Sequence, residues 1–489
     1  MKLLLVLPDA NMHKLRIFSY VRSFREAPLT LATLAGLLRD QDGLEIRCID
    51  ESVDEVPLEA EADLVGISVM TGTARRAYAL ADHFRQRGIP VVLGGVHVSL
   101  LPDEASGFAD SIVIGMGDEA WPRLIEDFKE GRLESVYREE PVEGDYAPHI
   151  PPPDYSVIRK HGYMVPYTVQ ATRGCIHKCD FCTVPVVCHK FLRRPVEDVI
   201  RDIKNVPARR FVINDVSPID DPEYAKELFE AMIPLGKKWG GLATTKVNKD
   251  RELFDRLVES GCQYLLIGFE SIDEKTLKGI YKGFNKDEDY EGLMKDLHGA
   301  GIIVQGCFVF GFDHDDNTVF ARTVDRVQEL RVDIPRYSIY TPYPGTTLFK
   351  RLEEEGRILS YDWADYDTMH VVYKPKLMSP ARLYEGFRWA YRETFKISSI
   401  LQRTWSSGFN FPITFVGNLT YRIFVKRLFA QKAFEMPVNN CSIASTSGVV
   451  DDTSGAVDDT IGAVDDTNGV VDDTSGAVDD ANIRGCSQG

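Results

Sequence analysis

Alternation between short apolar runs and amphipathic stretches constrains the fold of this chain more than any other feature. "KLLLVLP" is apolar at consecutive positions, as expected of a strand covered on both faces. "LEIRCID", "DLVGISVM", "PVVLGG" and "SIVIGMG" follow as further strands. Among them lie "PLTLATLAGLLRD", "TARRAYALADHFRQRG" and "DEAWPRLIEDFKEG", which have helical spacing. The pattern predicts a parallel, doubly wound α/β sheet over residues 1–138. Gly66, Gly94, Gly95, Gly115 and Gly117 fall in or at the C-terminal ends of its strands, where such sheets bind ligands.

Residues 139–166, rich in Pro and acidic groups, carry neither period and read as a linker. Alternation resumes over 167–345. The strands are "YTVQATRGC", "RRFVIND", "GLATTKV", "YLLIGFES", "IIVQGCFVFGF" and "RYSIYTPYPGT". Six β/α units predict a partial barrel, two units short of a closed one, with its chemistry at the C-terminal strand ends. Residues 346–435 read as a helical extension rich in Trp, Tyr, Phe and Arg. Over 436–489 the heptad "VDDTSGA" recurs with one Val, two Asp and a Gly per repeat, which cannot bury a coiled-coil seam and reads as disordered. Its ten Asp supply over half of the net charge of −17. That charge disfavours nucleic acid as a partner. A chain of 489 residues needs two or three such domains. Nine cysteines without a signal peptide argue for a reducing cytoplasm, and no stretch reaches the ~20 apolar residues of a membrane span.

"ATRGCIHKCDFCTVP" concentrates three of those cysteines, Cys175, Cys179 and Cys182, at the end of the first barrel strand. Most four-thiolate sites come as two pairs, and here one member is missing. Three close thiolates fit a [4Fe–4S] cluster with one open iron. Zinc is the alternative, with His177, Cys188 or His189 completing a Cys3His set.

C-x3-C-x2-C with Phe181 before the third cysteine, leading off a six-unit β/α series, resembles the radical S-adenosylmethionine (SAM) superfamily. The resemblance implies a [4Fe–4S] cluster whose open iron chelates SAM. It also implies reductive cleavage to a hydrogen-abstracting 5′-deoxyadenosyl radical, and an external electron donor such as flavodoxin or ferredoxin. It places Asn214, Asp215 and Ser217 of "VINDVSP" near the SAM amino group, although the glycine-glycine-glutamate of many members is absent. Thr244 ends the third strand; Glu270 and Ser271 of "GFES" would face the ribose or carboxylate; Gly311 of "VFGF" would let backbone approach the adenine. A helix N-terminal acid is the alternative role for Glu270.

A doubly wound domain ahead of such a core resembles the cobalamin-binding class. Ser68 in "SVM" and Gly94-Gly95 in "LGGVH" match two of that class's motifs, and imply a hydroxyl for the nucleotide tail and glycines beside a flat ligand. The third motif, Asp-x-His-x-x-Gly, is absent: Asp9 and His13 have other spacing and no glycine follows, so His13 is not expected to ligate cobalt. His97 reads as a satisfied loop histidine. The methylthiotransferase branch is excluded, because residues 1–170 hold only Cys48.

The resemblance thus implies a cobalamin-dependent radical SAM enzyme methylating an unactivated carbon of a small substrate. A cyclase, oxidase or rearrangement enzyme of the same architecture is the rival, and a non-catalytic sensor the remaining one. The aromatic C-terminal region points to a lipophilic substrate, and "WSSGFNFPITFVGNLTYRIFVKRLFAQK" to a helix packed on the core or touching a membrane surface.

Overall fold

The computed structural model describes residues 1–9, 14–17, 20–23, 26–159, 162–405 and 410–429. His13 and the acidic repeats lie outside the described residues.

The N-terminal sheet comprises β1 (Lys2–Leu7), β2 (Glu45–Asp50), β3 (Leu64–Ser68), β4 (Val91–Gly94), β5 (Ser111–Ile114) and β6 (Val136–Arg138). They are parallel throughout, in the order β2-β1-β3-β4-β5-β6. Leu4 and Val6 enter one core and Leu3 and Leu5 another, so the central strand is buried on both faces as its run of apolar residues requires. The edge strand β6 has no apolar run to announce it: only Tyr137 is buried.

The second sheet comprises β7 (Thr168–Val169), β8 (Arg210–Ile213), β9 (Lys238–Ala243), β10 (Cys262–Glu270), β11 (Ile303–Phe310) and β12 (Ile334–Ile339), parallel and in sequence order. "YTVQATRGC" is split, since Thr172–Arg173 leaves the sheet to pair antiparallel with Leu192–Arg193.

Burial alternates along β10, β11 and β12. The sealed residues point outward to the helices: Phe269 meets Tyr290, Phe310 meets Phe320, and Tyr337 meets Tyr391. The residues between them, Leu266, Gln305, Cys307, Arg336 and Ser338 among others, are only half-buried. The barrel is therefore tightly packed on its outside and hollow within.

The C-terminal extension covers the free edge strand β12. Tyr391 of helix Pro380–Thr394 donates its hydroxyl to the Tyr337 carbonyl and accepts from the Tyr337 amide. Arg403 donates to the Val332 and Asp333 carbonyls, and Asn418 of helix Phe411–Leu428 also donates to Asp333. Satisfying these groups protects the edge from pairing with another chain. The terminal helix packs on the core through Thr414, Asn418 and Val425 while Ile413, Val416 and Ile423 stay exposed.

Candidate functional site

The C-terminal edges of the two sheets face each other. The short helix Val184–Cys188, which follows the cysteine loop, packs against Val96–Leu100, which follows β4. Leu100 and Val186 both flank Gly345 beyond β12. A buried ion pair braces the two edges: Arg173, two residues before Cys175, holds the Asp118 carboxylate with both terminal nitrogens, Nη2 to Oδ1 at 3.1 Å, and each side chain is only 4 % exposed. Gln170 fixes the remaining face of that guanidinium, Nε to Oε1 at 3.0 Å.

Cys175, Cys179 and Cys182 are half-buried thiols in a loop fastened on several sides. The Cys182 amide bonds the Cys179 carbonyl at 3.1 Å, Phe181 stands edge-on to Tyr340, and Tyr340 donates to Asp180. Burial pushes the Cys175 thiol up to about 12 and that of Cys179 to about 11; it raises Cys182 as well. Lys282 acts in the opposite direction on Cys179 and Cys182. Ligation of these three thiols to a metal would remove their protons. Among the described residues no group of three His, Cys, Asp or Glu side chains is arranged around a single metal ion. A cubane asks for a different arrangement, since each thiolate takes its own iron. His177 stacks on Phe284 with ring centroids 4.2 Å apart, and its Nε2 lies 3.6 Å from Asp220. Burial would raise the Asp220 carboxyl, but His177 and Cys175 hold it below its usual range.

Around the loop, the expected SAM contacts separate into two groups. Asn214 is exposed at the end of β8, and the buried Thr244 Oγ1 at the end of β9 has no hydrogen-bond partner. Ser217 is buried beside Asp220 with no partner for its hydroxyl within 3.5 Å. Unanswered polar atoms of this kind fit a polar ligand. Asp215, by contrast, is committed to the protein: it accepts from the Ala171 amide (2.8 Å) and from the Thr172 amide (2.7 Å) and hydroxyl (2.8 Å), holding the chain that leads into the cysteines. Burial lifts its pKa to about 6. Ser271 likewise accepts from the Asp273 amide, and Asp273, not Glu270, caps the following helix.

Glu270 has φ +63 at a register shift in β10, a left-handed backbone unusual for glutamate. Its carboxylate pairs with Lys282 Nζ at 2.5 Å, both side chains nearly buried. Asn285 secures the shift by donating to the Gly268 and Phe269 carbonyls and contacting Thr245. Gly311 lies just beyond β11. Its φ of +101 suits glycine, but the close neighbours are Tyr373, which donates to its carbonyl, and Leu383. Its amide bonds Asp315 at 2.9 Å. At this glycine the C-terminal extension packs closely against the chain.

On the facing edge, Gly95 has φ +100, and a Cβ there would lie 2.8 Å from the Val69 amide nitrogen and carbonyl oxygen. Ser68 and Gly94 are half-buried beside it, and Met70, Val96 and Met116 are exposed around them. A shallow apolar rim with a glycine floor fits a broad, flat ligand such as cobalamin. His97 does not line it. Fully buried, it is bonded to Tyr78 (3.1 Å), Thr71 and Glu104, and Glu104 is gripped by Trp363. A surface hollow lined by Met1, Lys2, Glu45, Glu61 and Asp63 opens at the opposite edge of the sheet.

Sequence reasoning missed Lys282, Asn285 and the Arg173–Asp118 brace. Lys282 is one of four lysines between 275 and 286, with no period to single it out. Only the positive charge of Arg173 directly before the cysteine loop was a usable signal.

Comparisons with known proteins agree with this geometry. The radical SAM superfamily model matches residues 169–346 and the B12 binding domain model matches 17–125. Bacteriochlorophyllide d C-12(1)-methyltransferase of Chlorobaculum tepidum is 32 % identical over 416 residues, covering 82 % of this chain and 89 % of the relative. The C-8(2)-methyltransferase of the same organism is 30 % identical over 430 residues, covering 83 % and 93 %. Among solved structures, the radical SAM methyltransferase TsrM from Kitasatospora setae, with cobalamin and a [4Fe–4S] cluster bound, matches with a TM-score of 0.59 at 19 % identity, covering 79 % of this chain and 85 % of that one.

Proposed function

Because this chain belongs to the radical SAM superfamily and carries a B12 binding domain ahead of its core, we propose that it methylates an unactivated carbon of a small, largely apolar substrate. One observation carries the reading: two ligand-binding sheet edges, braced face to face by Arg173 and Asp118, border a barrel that is hollow inside. When bound, the cluster with SAM supplies a hydrogen-abstracting radical, and cobalamin supplies the methyl group.

The chain's own residues bind, orient and exclude water. Cys175, Cys179 and Cys182 would hold a [4Fe–4S] cluster, with an open position left for SAM. The Ser217 and Thr244 hydroxyls, which the protein leaves unanswered, and the exposed Asn214 amide offer SAM polar groups, and Glu270, oriented by Lys282, stands beside them. Asp215 and Ser271 act at one remove, by holding backbone. Ser68, Gly94 and Gly95 floor the cobalamin side. The lumen keeps water from the radical. Reduction draws on a donor such as flavodoxin or ferredoxin. Similarity to two bacteriochlorophyllide methyltransferases supports a broad apolar substrate. No helix among the described residues is long and apolar enough to cross a membrane. Exposed Trp405, Ile413 and Val416 support a peripheral contact with a lipid surface.

The test is anaerobic reconstitution with iron, sulfide, cobalamin, reductant and methyl-deuterated SAM. We expect cobalamin to co-elute with the protein, and both 5′-deoxyadenosine and S-adenosylhomocysteine to form. Deoxyadenosine without homocysteine product would refute methyl transfer in favour of a cyclase, oxidase or rearrangement. Neither product would refute the enzyme.

A further inference from the structure

Among the described residues, one charge in the lumen has neither an ion pair nor a hydrogen bond. Gly268, Cys307 and Arg336 occupy one register row across β10, β11 and β12, all on the half-buried inner side. Beside Gly268 stands the Glu270–Lys282 pair, which is neutral as a unit. Arg336 has no such counterpart. Among the described residues no carboxylate pairs with its guanidinium and no hydrogen bond reaches it. The groups that act on it most strongly are Tyr421, Cys307, Tyr391 and Tyr264; Tyr343 feels it as well, and the Glu26 carboxylate acts on the same Tyr264. Burial pushes the Cys307 thiol up to about 11 and raises the Tyr421, Tyr391 and Tyr264 phenols, so that thiol and those phenols are neutral near pH 7.

Elsewhere this protein pairs its buried guanidiniums. Arg173 has Asp118, Arg194 has Asp202 at 2.8 Å, and Arg403 has four oxygen acceptors. A charge held in a half-buried lining without a partner is costly and persists where something outside the chain completes it. Arg336 also lies two strands across from Glu270, roughly 10 Å at ordinary strand spacing. That places it away from the cluster loop and against the terminal helix that bears Tyr421.

We propose that Arg336 anchors the substrate by pairing with a carboxylate, so that the substrate is a monoanionic carboxylic acid whose apolar body fills the lumen. The proposal rests on the reading of the lumen as the substrate chamber. A guanidinium matches a carboxylate in a two-point contact. One uncompensated charge among phenols suits a monoanion; a phosphate dianion asks for more cations. The carboxylate of SAM is the other source of this chemistry, and the experiment separates the two.

Cys307 reports the local charge without turnover. In the reconstituted protein, alkylation of each cysteine by anionic iodoacetate and by neutral iodoacetamide is followed by mass spectrometry, with Cys48 as internal reference. The iodoacetate-to-iodoacetamide ratio at Cys307 is expected to exceed that at Cys48 by about tenfold. Arg336→Met, checked for normal iron and cobalamin content, brings it to the Cys48 value; Arg336→Lys, the fallback should Met not fold, keeps most of it. Octanoate protects Cys307 in the wild type, and methyl octanoate and inorganic phosphate do not. Equal ratios in wild type and Arg336→Met overturn the proposal, as does a Cys307 closed to both reagents. Protection by phosphate in place of octanoate overturns the carboxylate, and protection by SAM in place of octanoate reassigns Arg336 to the cofactor. Because none of these readouts needs methyl transfer, failure here is distinct from failure of the methyltransferase reading.

Discussion

Removing Asp118 tests whether the two halves of the site are braced as described. Asp118→Ala leaves Arg173 with a 4 % exposed side chain and no counter-charge. At the observed 3.1 Å, the gross attraction is about 5 kcal/mol for an effective dielectric near 20. Desolvation of both ions offsets most of that in the intact pair. The single variant recovers none of the offset, because the guanidinium stays buried, and it should lose about 3–5 kcal/mol. Asp118→Leu combined with Arg173→Met removes the stranded charge and should return to within about 1–2 kcal/mol of wild type. Urea unfolding of wild type, Asp118→Ala and the double variant, followed by tryptophan fluorescence, gives both differences. A single variant within about 1 kcal/mol of wild type, or a double variant no more stable than Asp118→Ala, would refute the reasoning.

The remaining expectations concern the same site and its surroundings. Alanine at Cys175, Cys179 or Cys182 should abolish the cluster's visible absorbance and 5′-deoxyadenosine formation, whereas His177→Ala should retain both, since His177 is stacked on Phe284. Lys282→Met strands Glu270 and should cost about 3–5 kcal/mol, largely restored by adding Glu270→Gln. It also removes a cation beside Cys179 and Cys182, so an EPR-monitored redox titration should show a lower cluster midpoint potential. Burial raises Asp315 to about 7 in the folded protein, from an ordinary value of 3.8. The folded state then binds the extra proton between those values, and this group's contribution to stability falls as pH rises from 4 towards 8. Asp315→Asn keeps one acceptor oxygen for the Gly311 and Phe312 amides, so its Tm should exceed wild type at pH 8 and converge with it near pH 4. Replacing Trp405, Ile413 and Val416 by Ser should reduce co-sedimentation with phosphatidylglycerol vesicles; equal sedimentation would remove the membrane contact.

The first sheet was legible because a strand buried on two faces must be apolar at consecutive positions, as β1 is, and the second because its strands recur between helical stretches. The cysteine spacing was equally readable, being local. What stayed hidden was pairing across long separations. Gly311 was rightly marked as a special backbone position, but its neighbour is Tyr373, 62 residues on, and no local pattern names it. Asp215 was rightly placed at a strand end, yet its three bonds reach back 43 and 44 residues. Glu270 drew attention through "GFES", while the lysine that orients it sat among equivalent lysines. Arg336 escaped because strand alternation gives two faces without saying which one is hollow.

The division of labour along β10, β11 and β12 bears on how such a chamber changes over evolutionary time. Residues turned towards the helices carry the packing, and those turned inward carry little of it. Substitution at Leu266, Gln305, Val309 or Ser338 should therefore disturb stability far less than at Ile267 or Phe308. Lineages can recut the cavity for a new guest one side chain at a time, with no compensating change in the wall around it.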